Sequence, residues 1–167
     1  MAETPTFLVR EATIVDVPLL AHHRAAMFRD MGRLASDREM ALVAATAEYL
    51  RGALPRGDYL AWVAQSQVSP AEVIGGAGVQ LRPILPRPGP AGDSIEPGPE
   101  AIILNVYVEL AWRRRGVGEA LMRSVLTALA ERKIRRIVLH ASDEGRRLYE
   151  RLGFVPTNEM RLETPLS

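Results

Sequence analysis

The chain has 167 residues, of which 47% are hydrophobic, and a formal net charge of +1. This length supports one substantial core, and no stretch resembles a seam between two cores, so a single domain over residues 1–167 is predicted. A nearly balanced charge without a long single-sign run argues against nucleic acid as the main partner. Because the chain contains no cysteine, disulfides, thiolate nucleophiles and cysteine-based metal sites are excluded.

The histidines do not have the spacing of a helical metal site. His22 and His23 are adjacent, so on a helix they point in different directions and lack the i, i+4 spacing of paired ligands. We expect both on the helix surface with no catalytic role, and no bound metal. The first residues lack the basic and apolar segments of a signal peptide, and no membrane-length apolar run follows. A cytoplasmic protein without membrane contact is therefore expected.

The N-terminal segment is predicted to form a strand followed by two helices. Residues 7–10 have the composition of a strand, and Asp16, with a proline two positions later, opens the first helix. Residues 36–39 have the S-x-x-E form of a capping box, which predicts a second helix ending at Gly52. The first helix is expected to present one apolar face containing Leu20, Met27 and Met31.

Two strands and a long loop are predicted next. Residues 59–64 and 73–81 are apolar and β-branched, and the polar turn between them predicts that they pair as a hairpin. Residues 82–100 hold six prolines, too many for a helix or a central strand. We expect this segment to be a surface loop.

The C-terminal part alternates between strands and helices. Apolar residues 101–108 predict a buried strand, residues 118–132 an amphipathic helix and residues 137–140 a second buried strand. Ser142 can cap a helix that runs to residue 152, and a last strand is expected near Phe154. This β-α-β order predicts an α/β or α+β domain of three layers, with a mixed central sheet flanked by helices.

An arginine- and glycine-rich turn connects the predicted strand 101–108 to the following helix. Its centre is Arg113-Arg114-Arg115-Gly116-Val117-Gly118. The start of a helix offers unpaired N–H groups and a partial positive charge, so this turn is suited to bind an anion such as pyrophosphate. The turn lacks the lysine and hydroxyl of a P-loop and the G-x-G-x-x-G of a dinucleotide-binding turn.

Two motifs in this region resemble the GNAT superfamily of N-acetyltransferases. Arg113, Gly116 and Gly118 match its [RQ]-x-x-G-x-[GA] signature in the expected strand-to-helix context. Residues 148–154 are similar to the family's L-Y-E-[KR]-x-G-F segment, which follows about 30 residues later. The resemblance covers residues 101–154 closely, whereas the N-terminal half agrees in its order of elements.

The resemblance implies a GNAT-like fold and acetyl-CoA as co-substrate. The strand around Val106 would bind the pantetheine arm through its backbone, the turn would hold the pyrophosphate, and Tyr149 would protonate the departing thiolate as general acid. Where the family often has Asn and Ala, this chain has Ser142 and Gly145. The implied cofactor-binding residues are Val106, Tyr107, Val108, Arg113, Arg114, Arg115, Gly116, Val117, Gly118, Glu119 and Ser142.

The general base is left open by the sequence. Glu109 and Glu100 flank the central strand and are candidates, although each also fits a solvated carboxylate, and water can relay the proton instead. Asn105 and Tyr107 alternate onto one face of that strand, where either could approach the acceptor or form a packed polar pair.

The expected activity is direct transfer of an acetyl group from acetyl-CoA to a primary amine. A non-catalytic acyl-CoA-binding sensor is the first alternative, and an interaction domain that uses the loop 82–100 is the second. A small molecule and a peptide or protein amine both remain as acceptor classes. The oligomeric state is also open, a homodimer being one option.

Overall fold

A mixed five-stranded sheet forms the middle layer of the protein and carries helices on both faces. The computed structural model describes residues 6–160 and 162. In chain order, its strands and α-helices are β1 (Phe7–Glu11), α1 (Val17–Asp30), α2 (Glu39–Arg56), β2 (Tyr59–Ser66), β3 (Val73–Pro83), β4 (Arg87–Pro88), β5 (Ile95–Glu96), β6 (Pro99–Val108), α3 (Val117–Glu131), β7 (Ile137–Leu139) and α4 (Asp143–Arg151).

The sheet has the strand order β1-β2-β3-β6-β7. The pairs β1–β2, β2–β3 and β3–β6 are antiparallel, and β6–β7 is parallel, as expected for strands joined through helix α3. The predicted hairpin and the predicted three-layer architecture with a mixed sheet are confirmed. Within the described ranges, no helix is long and apolar enough to cross a membrane.

Alternating side chains of β2 contribute to two separate cores. Trp62 and Ala64 pack on the face that α3 covers, whereas Ala61 and Val63 pack beneath α1 and α2. Each fully buried aliphatic side chain contributes about 1.5–3 kcal/mol to stability. The apolar side of α3 that fills the first core consists of Val117, Leu121, Met122, Val125 and Leu129.

The helices that form the second core differ from the sequence predictions in three places. Residues Ser36–Arg38 form a 3-10 turn without a side-chain cap bond, and α2 continues through Gly52 to Arg56. The buried Leu50 and Ala53 flank Gly52 and hold the helix on the sheet, so packing outweighs the weak helix propensity of glycine. In α1, Leu20 is buried as expected, but Met31 lies beyond the end of the helix and is 40% exposed.

Of two other predictions about the chain path, the first is wrong in part and the second is wrong. The proline-rich segment is not all loop, because β3 extends to Pro83, β6 starts at Pro99, and β4 and β5 pair between them. The strand near Phe154 does not form in the described residues. The Phe154 N–H instead donates to the Tyr149 carbonyl at 3.0 Å, so the chain closes the end of α4 and does not join the sheet.

Candidate active site

The central strand β6 has a free edge where it separates from β7. The two strands pair only through residues 101–103 of β6 and residues 137–139 of β7. In the part of the chain that the structure describes, residues 104–108 therefore have no neighbouring strand on that side. Their backbone groups can bind an extended ligand in the gap, as an added strand would. Val106 and Val108, two predicted cofactor-binding residues, lie along this edge.

A β-bulge at Asn105 interrupts β6 beside the gap. Gly76 pairs with Tyr107 and Gly78 with Leu104, so β6 has one more residue than β3 over this stretch. Asn105 has a φ of 56°, a left-handed conformation that asparagine tolerates better than most residues. After the bulge, Val106 and Val108 pack against the α3 core, whereas Asn105 and Tyr107 contact residues of α1.

The amides at the start of α3 are free to bind an anion. Among residues 6–160 and 162, the N–H groups of residues 114–119 have no hydrogen-bond acceptor, and the first bond of the helix is from Ala120 to the Gly116 carbonyl. Gly116 has a φ of 81°, and no heavy atom beyond its two chain neighbours lies within 4 Å of the position that a Cβ would occupy. The turn thus presents backbone donors, helix-end charge and open space together.

The arginines of this turn have different surroundings. Arg113 donates from Nε to the Val108 carbonyl at 2.9 Å and from Nη2 to Asp30 of α1 at 2.5 Å. Arg114 and Arg115 are exposed next to the free amides, and Arg115 also stacks on Trp112. The Arg113 side chain therefore joins the end of β6 to α1, while Arg114 and Arg115 supply positive charge near the turn.

Three of the other predicted cofactor-binding residues begin α3 directly after the turn, and Ser142 precedes α4. Val117 is buried in the α3 core, and Gly118 lies near side chains of Val108 and Leu148, which brings α4 against the start of α3. Glu119 is ion-paired with Arg123, and this contact lowers the pKa of the Glu119 carboxyl. Ser142 accepts a hydrogen bond from the Gly145 N–H at 3.2 Å, which confirms its predicted role as the cap of α4.

Tyr149 of α4 is half-buried and packs against the core that α3 covers. Burial raises the pKa of its hydroxyl, which keeps this group protonated at neutral pH. The ring packs edge-on to Phe154 and also covers Gly145, where an added Cβ would lie 2.8 Å from Cε2 of the ring. The glycine at position 145, where the family often has alanine, therefore leaves room for the tyrosine.

The two glutamates considered as bases have unrelated environments. Glu100 is 1% exposed and bonded to Arg82 and Arg136, so the expectation of a solvated carboxylate is wrong for it. Desolvation opposes its ionisation, but the bonds from Arg136 and Arg82 outweigh that effect and lower the pKa of Glu100. Glu100 lies at the far end of β6 from the turn. Glu109 lies at the near end, with a side chain that is 45% exposed.

His23 was expected on the helix surface, but it is buried beneath the sheet. It is 2% exposed and packs against the Tyr107 ring at 5.1 Å and beside Gly76. A signal for this burial exists in the sequence, since His23 follows the core residue Leu20 by three positions on the same helical face. The space that it occupies depends on Gly76 of β3, a contact that helical periodicity does not reveal.

A polar cluster on this face was not predicted. Arg24 donates to the Asn105 side-chain oxygen at 2.5 Å, and the Asn105 amide nitrogen donates to the Tyr59 hydroxyl at 2.8 Å. Tyr59 is 2% exposed, and its burial raises the pKa of its hydroxyl to about 12. The next hydroxyl in the same layer belongs to Tyr49, which packs edge-on to Tyr59 and accepts from Gln80.

Comparisons with known proteins agree with this geometry. The profile of the "Acetyltransferase (GNAT) domain" family matches residues 57–156. The chain is similar to a solved GCN5-related N-acetyltransferase from Ralstonia eutropha JMP134, with 33% identity, a TM-score of 0.79, and 96% and 98% of the two chains covered. A predicted acetyltransferase with acetyl-CoA from Clostridium acetobutylicum has 24% identity and a TM-score of 0.77, with 95% and 96% covered.

Glucosamine-6-phosphate N-acetyltransferase from Arabidopsis thaliana shares the fold, with 14% identity, a TM-score of 0.68, and 95% and 98% of the two chains covered. No curated protein sequence matches the chain. A family match over residues 57–156, together with full-length structural similarity, shows that this chain belongs to the GNAT acetyltransferase family. Members of this family use acetyl-CoA, and the free edge of β6 and the open amides of α3 fit that group.

Proposed function

We propose that this protein moves an acetyl group from acetyl-CoA to a primary amine by direct transfer, without a covalent enzyme intermediate. The observation that carries the proposal is the convergence of two backbone surfaces, one without a neighbouring strand and one with unpaired amides. The free edge of β6 at residues 104–108 leads toward the unpaired amides of residues 114–119. The first surface would align the pantetheine arm, and the second would bind the pyrophosphate.

Acetyl-CoA supplies the activated acyl group, and the chain supplies a proton donor for the thiolate that leaves. Tyr149 can fill this role because a phenol keeps its proton at neutral pH, and burial raises the pKa of this hydroxyl further. Within the described ranges the Tyr149 hydroxyl has no hydrogen-bond partner. A thiol with a pKa near 8.5 needs little assistance, so one neutral phenol is a sufficient acid.

The acceptor amine must lose a proton for the transfer to be complete. Of the two glutamates, Glu109 remains a candidate because its carboxylate is partly exposed at the end of β6 that carries the turn. Glu100 is held by two arginines at the other end of β6. Burial raises the pKa of Tyr107, which therefore stays a phenol and is no base at neutral pH. Glu109 would accept the proton directly or through water.

The test combines binding and turnover. Isothermal titration with acetyl-CoA should show saturable binding, and a panel of primary amines should release free CoA, detected with a thiol reagent. Because the chain has no cysteine, the protein itself gives no background in this assay. Tyr149→Phe should lower kcat by about 100-fold with little change in acetyl-CoA affinity.

Two outcomes would contradict the proposal. If titration at protein concentrations sufficient to detect micromolar affinity showed no binding of acetyl-CoA, the proposed acetyl-CoA site would be wrong. Binding without thiol release from any amine would favour the non-catalytic sensor. An unchanged kcat for Tyr149→Phe would remove only the acid assignment.

A further inference from the structure

A half-buried arginine of α1 has no counter-charge among the described residues. Four arginines are half-buried in the described part of the chain. Three of them have a carboxylate partner: Arg10 pairs with Asp16 at 2.9 Å, Arg87 with Glu96 at 3.7 Å and Arg113 with Asp30 at 2.5 Å. The fourth, Arg24 of α1, has no acidic partner among residues 6–160 and 162. Since partly desolvated charges in proteins are normally paired, this arginine is unusual.

The position of Arg24 relates it to the acetyl-transfer site. Its Nη1 atom bonds to the side-chain oxygen of Asn105, the bulge residue of β6. Asn105 is also one of the residues 104–108 that form the free edge proposed to hold acetyl-CoA. Arg24 therefore lies beside this edge, on the face of the sheet that α1 covers, which we assign to the acceptor.

The arginine is also held in place. Asn105 donates its amide hydrogen to the buried Tyr59 hydroxyl, which fixes the side-chain oxygen toward Arg24. The guanidinium stacks over Phe28 with its central carbon 4.9 Å from the ring centroid. Only one of its five N–H donors has an acceptor in the described residues, so donors remain for a ligand.

Taken with the proposed acetyl transfer, on which this step rests, we propose that the acceptor carries a carboxylate and that Arg24 binds it. The acceptor class is then an amino acid or another small aminocarboxylate. A guanidinium presents parallel N–H groups that match the two oxygens of a carboxylate. The neighbouring polar groups, Tyr59, Tyr49 and Gln80, are neutral, so the cluster carries a single positive charge suited to a monoanion.

The first experiment compares matched acceptors with wild-type protein and saturating acetyl-CoA. Amino acids and ω-amino acids of increasing length are each tested against their own carboxamides by thiol release. Carboxylates should have the lower KM. Arg24→Gln should raise the KM for carboxylates by about 10- to 100-fold and leave the carboxamides unchanged, because one charge-assisted contact is lost. Equal use of carboxylates and carboxamides by the wild type would overturn the inference, as would an equal effect of Arg24→Gln on both.

Two further variants guard against misfolding and against a general effect of charge. Arg24→Lys keeps the charge without the planar fork and should recover part of the preference for carboxylates. Arg51→Gln removes an exposed arginine of α2 that has no partner in the described residues, and it should leave both KM values unchanged. A loss of preference in Arg51→Gln equal to that in Arg24→Gln would contradict a specific role for Arg24.

A binding measurement separates this inference from the transfer reaction. The 15N-labelled protein with bound CoA is titrated with acetate, 4-aminobutyrate and inorganic phosphate while the Arg24 Nε–H signal is followed by NMR. A saturable shift with the carboxylates supports the inference even if no amine is turned over. No shift, or a larger shift with phosphate than with either carboxylate at equal concentration, would overturn it.

Discussion

The Nε2 atom of His23 lies 3.4 Å from a carboxylate oxygen of Glu109 and thereby links α1 to the end of β6. This approach does not have hydrogen-bond geometry, and both ring nitrogens of His23 are buried without a partner among the described residues. Burial lowers the pKa of His23 to about 4, and the nearby His22 adds to this effect. The imidazole is consequently neutral at pH 7, although it lies next to a carboxylate.

His23 should make the stability of the protein depend on pH. Its pKa is lower in the folded state than in the unfolded state, where it is near 6.5, so unfolding takes up a proton between these values. The contribution of neutral His23 to the free energy of unfolding is complete above pH 6.5 and is lost as the pH falls toward 4. At pH 5 the loss is about 2 kcal/mol, which lowers Tm by roughly 4–8 °C relative to pH 7.5.

Two variants assign this pH dependence to His23. His23→Leu should keep or raise Tm at pH 7.5, since it removes two unpartnered polar atoms, and it should reduce the fall between pH 7.5 and 5. His22→Gln, at the exposed neighbouring position, should keep most of the fall. Thermal unfolding of the wild type and both variants at pH 7.5 and pH 5 measures these changes in Tm. If wild type and His23→Leu lose the same Tm, the neutral buried histidine is not the cause.

Local patterns in the sequence were sufficient to predict the elements that form the proposed cofactor side of the site. The strand through Val106, the amphipathic α3 and the Ser142 cap depend on short-range periodicity and capping, and all three form. The acceptor side depends on contacts between distant segments. Arg24 and Asn105 are 81 residues apart, and the buried position of Glu100 depends on Arg82 and Arg136. Contacts between residues so far apart in the sequence cannot be predicted from local periodicity.

Glu100 should be needed for stability and not for chemistry. Glu100→Gln removes the charge that neutralises Arg82 and Arg136, and we expect a loss of about 1–3 kcal/mol in the free energy of unfolding with kcat retained. Glu109→Gln should show the reverse, with lower kcat and little change in stability, because its side chain is partly exposed. Urea unfolding and thiol release measured on both variants check this. A large loss of kcat in Glu100→Gln at full folding would contradict the assignment.

The two glycines of the turn should respond differently to alanine. Gly116 has a φ of 81°, so Gly116→Ala places a Cβ in a left-handed residue at a cost of roughly 1–2 kcal/mol. The new methyl group would also occupy space beside the free amides. At Gly118 an added Cβ would make only ordinary contacts, 3.5 Å from Leu148 and 3.8 Å from Val108.

Isothermal titration with acetyl-CoA and thermal unfolding measure both effects. We expect Gly116→Ala to weaken acetyl-CoA binding by at least tenfold and to lower Tm, while Gly118→Ala stays close to wild type in both. If Gly116→Ala bound acetyl-CoA as tightly as wild type, the turn would not be the pyrophosphate site.

Gly78 should be required for the position of Tyr59 and therefore for the acceptor side. A Cβ at residue 78 would lie 1.7 Å from the Tyr59 hydroxyl oxygen, so Gly78→Ala must displace the ring and break its bond with Asn105. Such overpacking costs about 1–3 kcal/mol. Tyr59→Ala removes the ring and should cost about 3–5 kcal/mol, as large-to-small aromatic substitutions in cores do.

The double variant isolates the clash, because without the ring the alanine at position 78 meets no tyrosine. The combined loss in the free energy of unfolding should be smaller than the sum of the single losses by at least about 0.5 kcal/mol. Denaturant unfolding of the four proteins in this cycle measures the coupling. Additive losses would mean that the tyrosine ring does not cover residue 78, and the fixed orientation of Asn105 toward Arg24 would lose its support.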